Sequence, residues 1–347
     1  MKSLSHPASR RRFLRASTLA VASAPAVVRG AAARAEFNLA FATVAPRGSS
    51  FHQTLQDMIQ QWKEASGGRV GVTVYPGTQG GEPAIVRRMG INQLQGAMLT
   101  AGGMAQIDRS PTALQLMPMV FDDWSEVDHV RDVMRPRLEE ALNRKGYEVL
   151  FWGDAGWVRW FTKKPVLRPA DVRTMKIFAD AGDPIGLEIV REYYQPVPLE
   201  PDKIFTALST GLIEGVTLPA FLANFTQIAT VTGHMLDLKY APLTGAMVVS
   251  TRAWSRIPED LRGKLRAIAD ATGALARKNS RAEDDAAIEV MRSKQGLKVA
   301  ETTPEIVAEW RRAISAAYPA IRGPVVPAPL FDEVLALVKA FRAKADA

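Results

Sequence analysis

The chain has 347 residues, 47% of them hydrophobic and 23% charged, with no cysteine and a formal net charge of +8. That balance excludes wholesale disorder and fibrous repeats and predicts one large or two ordinary globular domains. Without cysteine there is no disulfide framework, thiolate nucleophile, iron–sulfur cluster or Cys-type zinc site. The positive surplus would suit nucleic acid or an anionic membrane surface only if it were spread over the folded body.

It is concentrated at the start of the chain. Ser9-Arg10-Arg11-Arg12-Phe13-Leu14-Arg15 has the twin-arginine export pattern, an uncharged stretch runs from Ala16 to Val28, and Ala33-Arg34-Ala35 offers a small-x-small cleavage site. The uncharged stretch is far short of the roughly 20 helical residues that cross a bilayer. Residues 1–35 therefore read as a signal peptide cleaved after Ala35, with a periplasmic destination. Seven of the 44 basic residues lie there and no acidic one, so 37 basic residues face 36 acidic ones in the remainder. A nucleic-acid partner loses its electrostatic support.

Beyond Glu36, strands and helices alternate. A strand is predicted over Phe37–Val44, then a helix capped by Ser49 or Ser50 and stopped at Gly67-Gly68. There follow a strand over Arg69–Tyr75, a helix after Gly81, a strand near Ala97–Leu99, a helix over Ser125–Lys145 and a strand over Tyr147–Trp152. A second series has strands at Trp157–Phe161 and Thr174–Phe178, helices over Asp183–Tyr193 and Pro201–Thr210, and a strand over Leu212–Leu218. A helix after Pro219 and a strand near Ala246–Ser250 complete it, and from Pro258 the chain reads as helical. There Leu261, Leu265, Ile268, Thr272 and Leu275 mark one buried stripe of a helix running to about Met291. The pattern predicts an α/β protein of two lobes, each a mostly parallel sheet flanked by helices, with a long helix crossing the lobes and a helical C-terminus. The expected division is residues 36–156 with about 245–285 in the first lobe, and about 157–244 with 286–347 in the second. The ligand site of such a body lies in the cleft at the strand ends.

Several segments together resemble the DctP-type solute-binding proteins of tripartite ATP-independent periplasmic (TRAP) transporters. They are Gly67-Gly68-Arg69-Val70 leading to Tyr75-Pro76-Gly77-Thr78-Gln79-Gly80-Gly81-Glu82, Gly90 through Met98, Met117–Phe121, Lys176-Ile177, and Ala207–Gly215. The resemblance spans nearly all of the chain after Ala35. It implies a two-lobed periplasmic binding fold that captures a small organic solute and delivers it to the small and large membrane permease subunits, without chemistry, cofactor or metal. A sensor in place of the permease is a second reading, and an exported periplasmic enzyme a third. The motifs disfavour an enzyme: there is no nucleophile elbow, phosphate-binding loop, His-Glu-x-x-His or dinucleotide fingerprint, and His52, His129 and His234 are dispersed.

In that family an arginine after Lys-Ile usually holds the solute's carboxylate by a bidentate salt bridge. Here the position is Phe178. The family's polar segment after the Asp-Gly turn is Val216-Thr217-Leu218-Pro219, and both departures point to a more apolar solute. A second family arginine is retained as Arg159, with one residue inserted before it, and the resemblance makes it the remaining carboxylate partner. Trp152, Trp157 and Trp160 offer flat apolar area, and Asp154, Asp180 and Asp183 offer acceptors. The candidate ligand residues are therefore Arg159, Phe178, Trp157, Asp180, Thr217, Val216, Leu218 and Trp152. Core packing is the alternative for Phe178 and the tryptophans, a salt bridge for Arg159, and a helix cap for Asp183.

Overall fold

The computed structural model describes residues 35–345. The export signal lies outside the described residues. The first elements are β1 (Phe37–Thr43), α1 (Ser50–Ala65), β2 (Val70–Pro76), α2 (Glu82–Gly90), β3 (Gly96–Thr100), α3 (Ala101–Met104), α4 (Trp124–Arg144) and β4 (Tyr147–Thr162). The chain continues through β5 (Lys176–Asp180), α5 (Pro184–Val190), β6 (Gln195–Leu199), α6 (Ile204–Thr210), β7 (Gly215–Pro219), α7 (Ala220–Phe225), α8 (Ala229–Thr232) and β8 (His234–Ser250). It ends with α9 (Thr251–Trp254), α10 (Glu259–Gln295), β9 (Lys298–Glu301), α11 (Pro304–Ser315), α12 (Tyr318–Ile321) and α13 (Ala328–Ala345). Among the described residues no helix is long and apolar enough to cross a membrane.

The strands form one twisted sheet in the order β2-β1-β3-β8-β4-β7-β5-β6, with β9 added beside β8. The parallel pairs are β1–β2, β1–β3, β5–β6, β5–β7 and β8–β9; the antiparallel pairs all involve β4 or β8. These two long strands run side by side from Tyr147–Ser250 at one end to Thr162–His234 at the other, so they belong to both lobes. The sequence predicts two separate strands for β4, because Gly153 and Gly156 interrupt the apolar run. The ladder instead continues through them, with a register shift between Asp154 and Trp157 that absorbs the extra residues. β6 is an addition: Pro196 and Pro198 argue against a strand, and the sheet accommodates them at its edge, where missing N–H donors cost nothing.

Separate apolar clusters fill the lobes. In the first, α1 and α10 pack on one face of the sheet through Leu55, Met58, Trp62, Leu261 and Leu265, and Trp62 donates its indole N–H to the Leu265 carbonyl at 3.0 Å. On the other face α4 supplies Val127, Val130, Met134 and Leu138. Phe331, Val334 and Val338 of α13 join that same cluster, so the C-terminal helix belongs with the first lobe, not the second as the sequence division has it. The second lobe packs α6, α7 and the end of α10 against β7, and Trp310 of α11 against Trp160 and Leu236.

The buried stripe of α10 also differs from expectation. Leu275 is 59% exposed, and beyond Leu265 the face against the sheet is built from Ala269, Thr272, Gly273, Ala276, Ser280 and Asp284. These small side chains bring the helix axis close to β4; a methyl group on Gly273 would occupy the space of the Phe151 side chain. Gly273→Ala gains up to about 1 kcal/mol of helix propensity and loses about 1–3 kcal/mol to overpacking. It should lower the urea midpoint, and a raised midpoint would contradict this packing.

Candidate functional site

The parallel strands of both lobes end at the seam. Thr100, the last residue of β3, pairs with Gly245, and Pro219, the last of β7, pairs with Val158, both near the middle of the crossing strands. The C-terminal ends of β1 and β3 thus face those of β5 and β7, the position at which open α/β sheets bind ligands. A cavity of about 130 Å³ lies there, lined by the β1–α1 loop, the end of β3, the bend of β4 and the start of α7. None of its lining side chains is cationic. The lobes meet over it: the Phe51 and Phe221 rings are 5.2 Å apart, and Pro83 Cγ lies 3.5 Å from where a Cβ on Gly182 would sit.

Arg159 is engaged within the protein. Its side chain is 3% exposed, and its Nη1 donates to Asp284 Oδ2 at 2.8 Å and to the Trp157 carbonyl at 3.2 Å. Its Nε donates to Asp237 Oδ1 at 2.9 Å. Asp284 also accepts the backbone N–H groups of Trp157 and Phe221, each at 3.0 Å. One carboxylate on α10 therefore ties β4, α7 and Arg159 together. Burial pushes the Asp284 carboxyl above its ordinary value, and the guanidinium and the two N–H donors pull it back. The register shift preceding Arg159 makes room for this: Gly156 has φ +100°, and a Cβ there would strike the Asp284 carboxylate. Arg159 thus makes the salt bridge named as its alternative, with Asp284 and Asp237 as partners.

Asp154 is likewise spent. It accepts from Arg131 at 2.8 Å and from Arg281 Nε at 2.9 Å, inside an ion cluster that includes Asp128. Trp152 and Trp157 are core residues of the first lobe. Trp152 donates to Glu139 at 3.0 Å, and Trp157 packs on Trp124 at 4.8 Å. Val216 is fully buried in the second lobe. Trp152, Trp157 and Val216 lie within the packed layers between sheet and helices, as core packing requires. Asp183 caps α5, accepting from Gly186 N at 2.9 Å.

The remaining candidates stay at the seam. Phe178 and Leu218 are half-buried beside Val197 and Leu199, and Phe51 of the first lobe packs on the same cluster. Thr217 is partly exposed, and Asp180 is exposed, accepting from Gly182 N at 2.8 Å. Glu82 was not singled out by its sequence. It stands at the start of α2 and accepts from Thr100 N at 2.6 Å and Thr100 Oγ1 at 2.7 Å. Its carboxylate fills the space beside Gly103 that a methyl group would need. Burial raises the Glu82 pKa, the two Thr100 bonds lower it, and Asp180 in the opposite lobe raises it further. The seam thus joins aromatic rings to two acidic groups. Among the described residues no cluster of His, Cys, Asp or Glu could hold a metal ion.

Two α/β lobes joined by crossing strands, with a cavity where their strand ends meet, define a solute-binding protein. Residues 41–322 match the bacterial extracellular solute-binding protein family 7, DctP, and the chain belongs to that family; it is a binding protein and not an enzyme. The C4-dicarboxylate-binding periplasmic protein DctP of Rhodobacter capsulatus is 22% identical over 201 residues, which cover 57% of this chain and 60% of that one. The matches span between 44% and 60% of the lengths of the curated relatives. A TRAP periplasmic solute-binding protein from Shewanella oneidensis with bound succinate superposes with a TM-score of 0.80 at 17% identity, covering 87% of this chain and 99% of that one. One from Desulfovibrio salexigens with bound orotic acid gives 0.79 at 15% identity, covering 89% and 99%. At these identities the structures establish the fold.

Two outcomes test the site. Arg159→Met leaves Asp284 buried and unpaired and should cost about 3–5 kcal/mol of stability, the usual penalty for a broken buried pair; a loss within about 0.5 kcal/mol, as for an ordinary surface change, would free Arg159 for a ligand. A raised carboxyl pKa favours the folded state below the ordinary carboxylate range and loses that contribution as pH rises through the folded value. Glu82→Gln should therefore gain stability relative to the parent as pH rises from about 4, near the model carboxylate value, toward neutrality. A pH-independent difference in urea titrations would contradict the placement of Glu82.

Proposed function

We propose that the protein is the periplasmic solute-binding component of a TRAP-type transporter, exported by its twin-arginine signal. It captures a small, largely apolar or aromatic solute between the lobes and delivers it to the membrane permease subunits. The observation that carries the solute class is the engagement of Arg159 by Asp284 and Asp237, with Phe178 in the place of the other family arginine. A dicarboxylate in the cavity would meet no lining cation, and Glu82 and Asp180 would oppose it. An unpaired buried carboxylate costs several kcal/mol. A neutral ring or branched chain can instead lie against Phe51, Phe178, Leu218 and Phe221, with a hydroxyl or amide donor directed to Glu82 or Asp180. A monocarboxylate fits only if its charged end stays in water.

A thermal-shift screen decides the class. A ligand at 100 times its Kd adds about 2.7 kcal/mol to the folded state, so neutral aromatic and branched solutes should raise the melting temperature while succinate and malate leave it unchanged. Stabilisation by succinate alone would refute this reading. Phe178→Arg should then recruit succinate; an unaltered ligand profile would show that Phe178 is core.

A further inference from the structure

A second and larger cavity, of about 600 Å³, lies away from the cleft. Gln115, Leu116 and Pro118 from the first lobe form one wall, α5 and Trp160 from the second form another, and Tyr240 of β8 and Trp310 of α11 close it. The volume is within the range of small-molecule sites, roughly 300–1,000 Å³. Its charged lining residues, Arg173, Asp183 and Glu192, are exposed and stand at the rim. The interior is aromatic: Trp160 packs with Tyr194 at 5.8 Å, Tyr240 at 5.7 Å and Trp310 at 5.5 Å.

Two interior polar atoms are left without partners. Trp160 is 2% exposed and its Nε1 donor is unbonded, whereas the neighbouring Trp310 donates to the Leu167 carbonyl at 2.9 Å. The Gln115 Oε1 acceptor, also buried, is unbonded as well. A buried donor or acceptor without a partner costs about 1–3 kcal/mol, and here one of each lines the same apolar chamber. Burial keeps the Tyr194 and Tyr240 phenols protonated, so the chamber carries no interior charge from them.

We propose that this chamber is a second ligand site, separate from the cleft, which takes a neutral aromatic molecule bearing an acceptor for Trp160 and a donor for Gln115. Because each lobe supplies a wall, the occupant holds the lobes together from outside the solute cavity and so links the two sites.

The test uses 2-acetyl-6-hydroxynaphthalene, a neutral fluorescent bicycle with a ketone acceptor and a phenol donor. The purified protein should bind one equivalent with a blue-shifted emission. Gln115→Leu should weaken binding by about tenfold, in line with one lost buried hydrogen bond, and Ala313→Phe, which fills the chamber, should abolish it. Phe178→Arg, which alters the cleft, should leave it unchanged. Absence of saturable binding, equal affinity in Gln115→Leu, or loss in Phe178→Arg would each overturn the proposal. If Ala313→Phe does not fold, Ala170→Phe, at another lining position of the same cavity, is read in the same way.

Discussion

Asp284 is the group on which the arrangement of the lobes depends. It sits on the one helix that spans them and accepts from a strand shared by both lobes, from the first turn of α7 and from Arg159. A carboxylate buried to this degree is stable only when its lone pairs are occupied, so the ends of β4 and α7 are fixed relative to α10. One turn along the same helix, Arg281 holds Asp154 and Asp128, which adds α4 to the assembly. The seam is thus rigid at its back, where ions and small residues pack, and apolar at its front, where Phe51 meets Phe221. A hinge built this way confines any opening to the aromatic side.

The same bonds engage the arginine that the family resemblance would assign to a carboxylate. A guanidinium has five donors in a fixed fork, and Nε and Nη1 of Arg159 are directed at Asp237, Asp284 and a main-chain carbonyl. The additional residue before it, taken up at Gly156, sets the register that aims the fork toward α10. Phe178 stands in the middle of β5, and no cationic side chain lines the cavity between the lobes.

Much of the fold is legible in the residues. Glycine stops, caps at Ser49 and Asp123, and the alternation of apolar runs place most helices and strands within a few positions of where they lie. What is not legible has identifiable causes. β6 contains two prolines that only an edge position permits. The first half of β8 has mixed polarity, with His234, Asp237 and Lys239 set among its apolar residues. The lower stripe of α10 consists of Ala, Gly, Ser and Asp, which look polar or neutral until the nearness of β4 gives them a role. At the site, a motif identifies an arginine but not the direction of its side chain, since that depends on a partner 125 residues away. Glu82 escapes notice because its significance comes from Thr100 and from Asp180 in the other lobe.

The return of α13 to the first lobe bears on how the protein is made. Arg342 bonds Glu126, a partner 216 positions earlier, and Phe331, Val334 and Val338 complete a core begun by α4. The chain therefore passes from one lobe to the other along β4, back along β8, across again in α10 and home in α13. Neither lobe is a continuous segment, and neither can finish its core while the chain is still being synthesised. Such long-range closure is slow and leaves apolar surface open until late. The lobes therefore complete their cores together, once segments 216 positions apart have met.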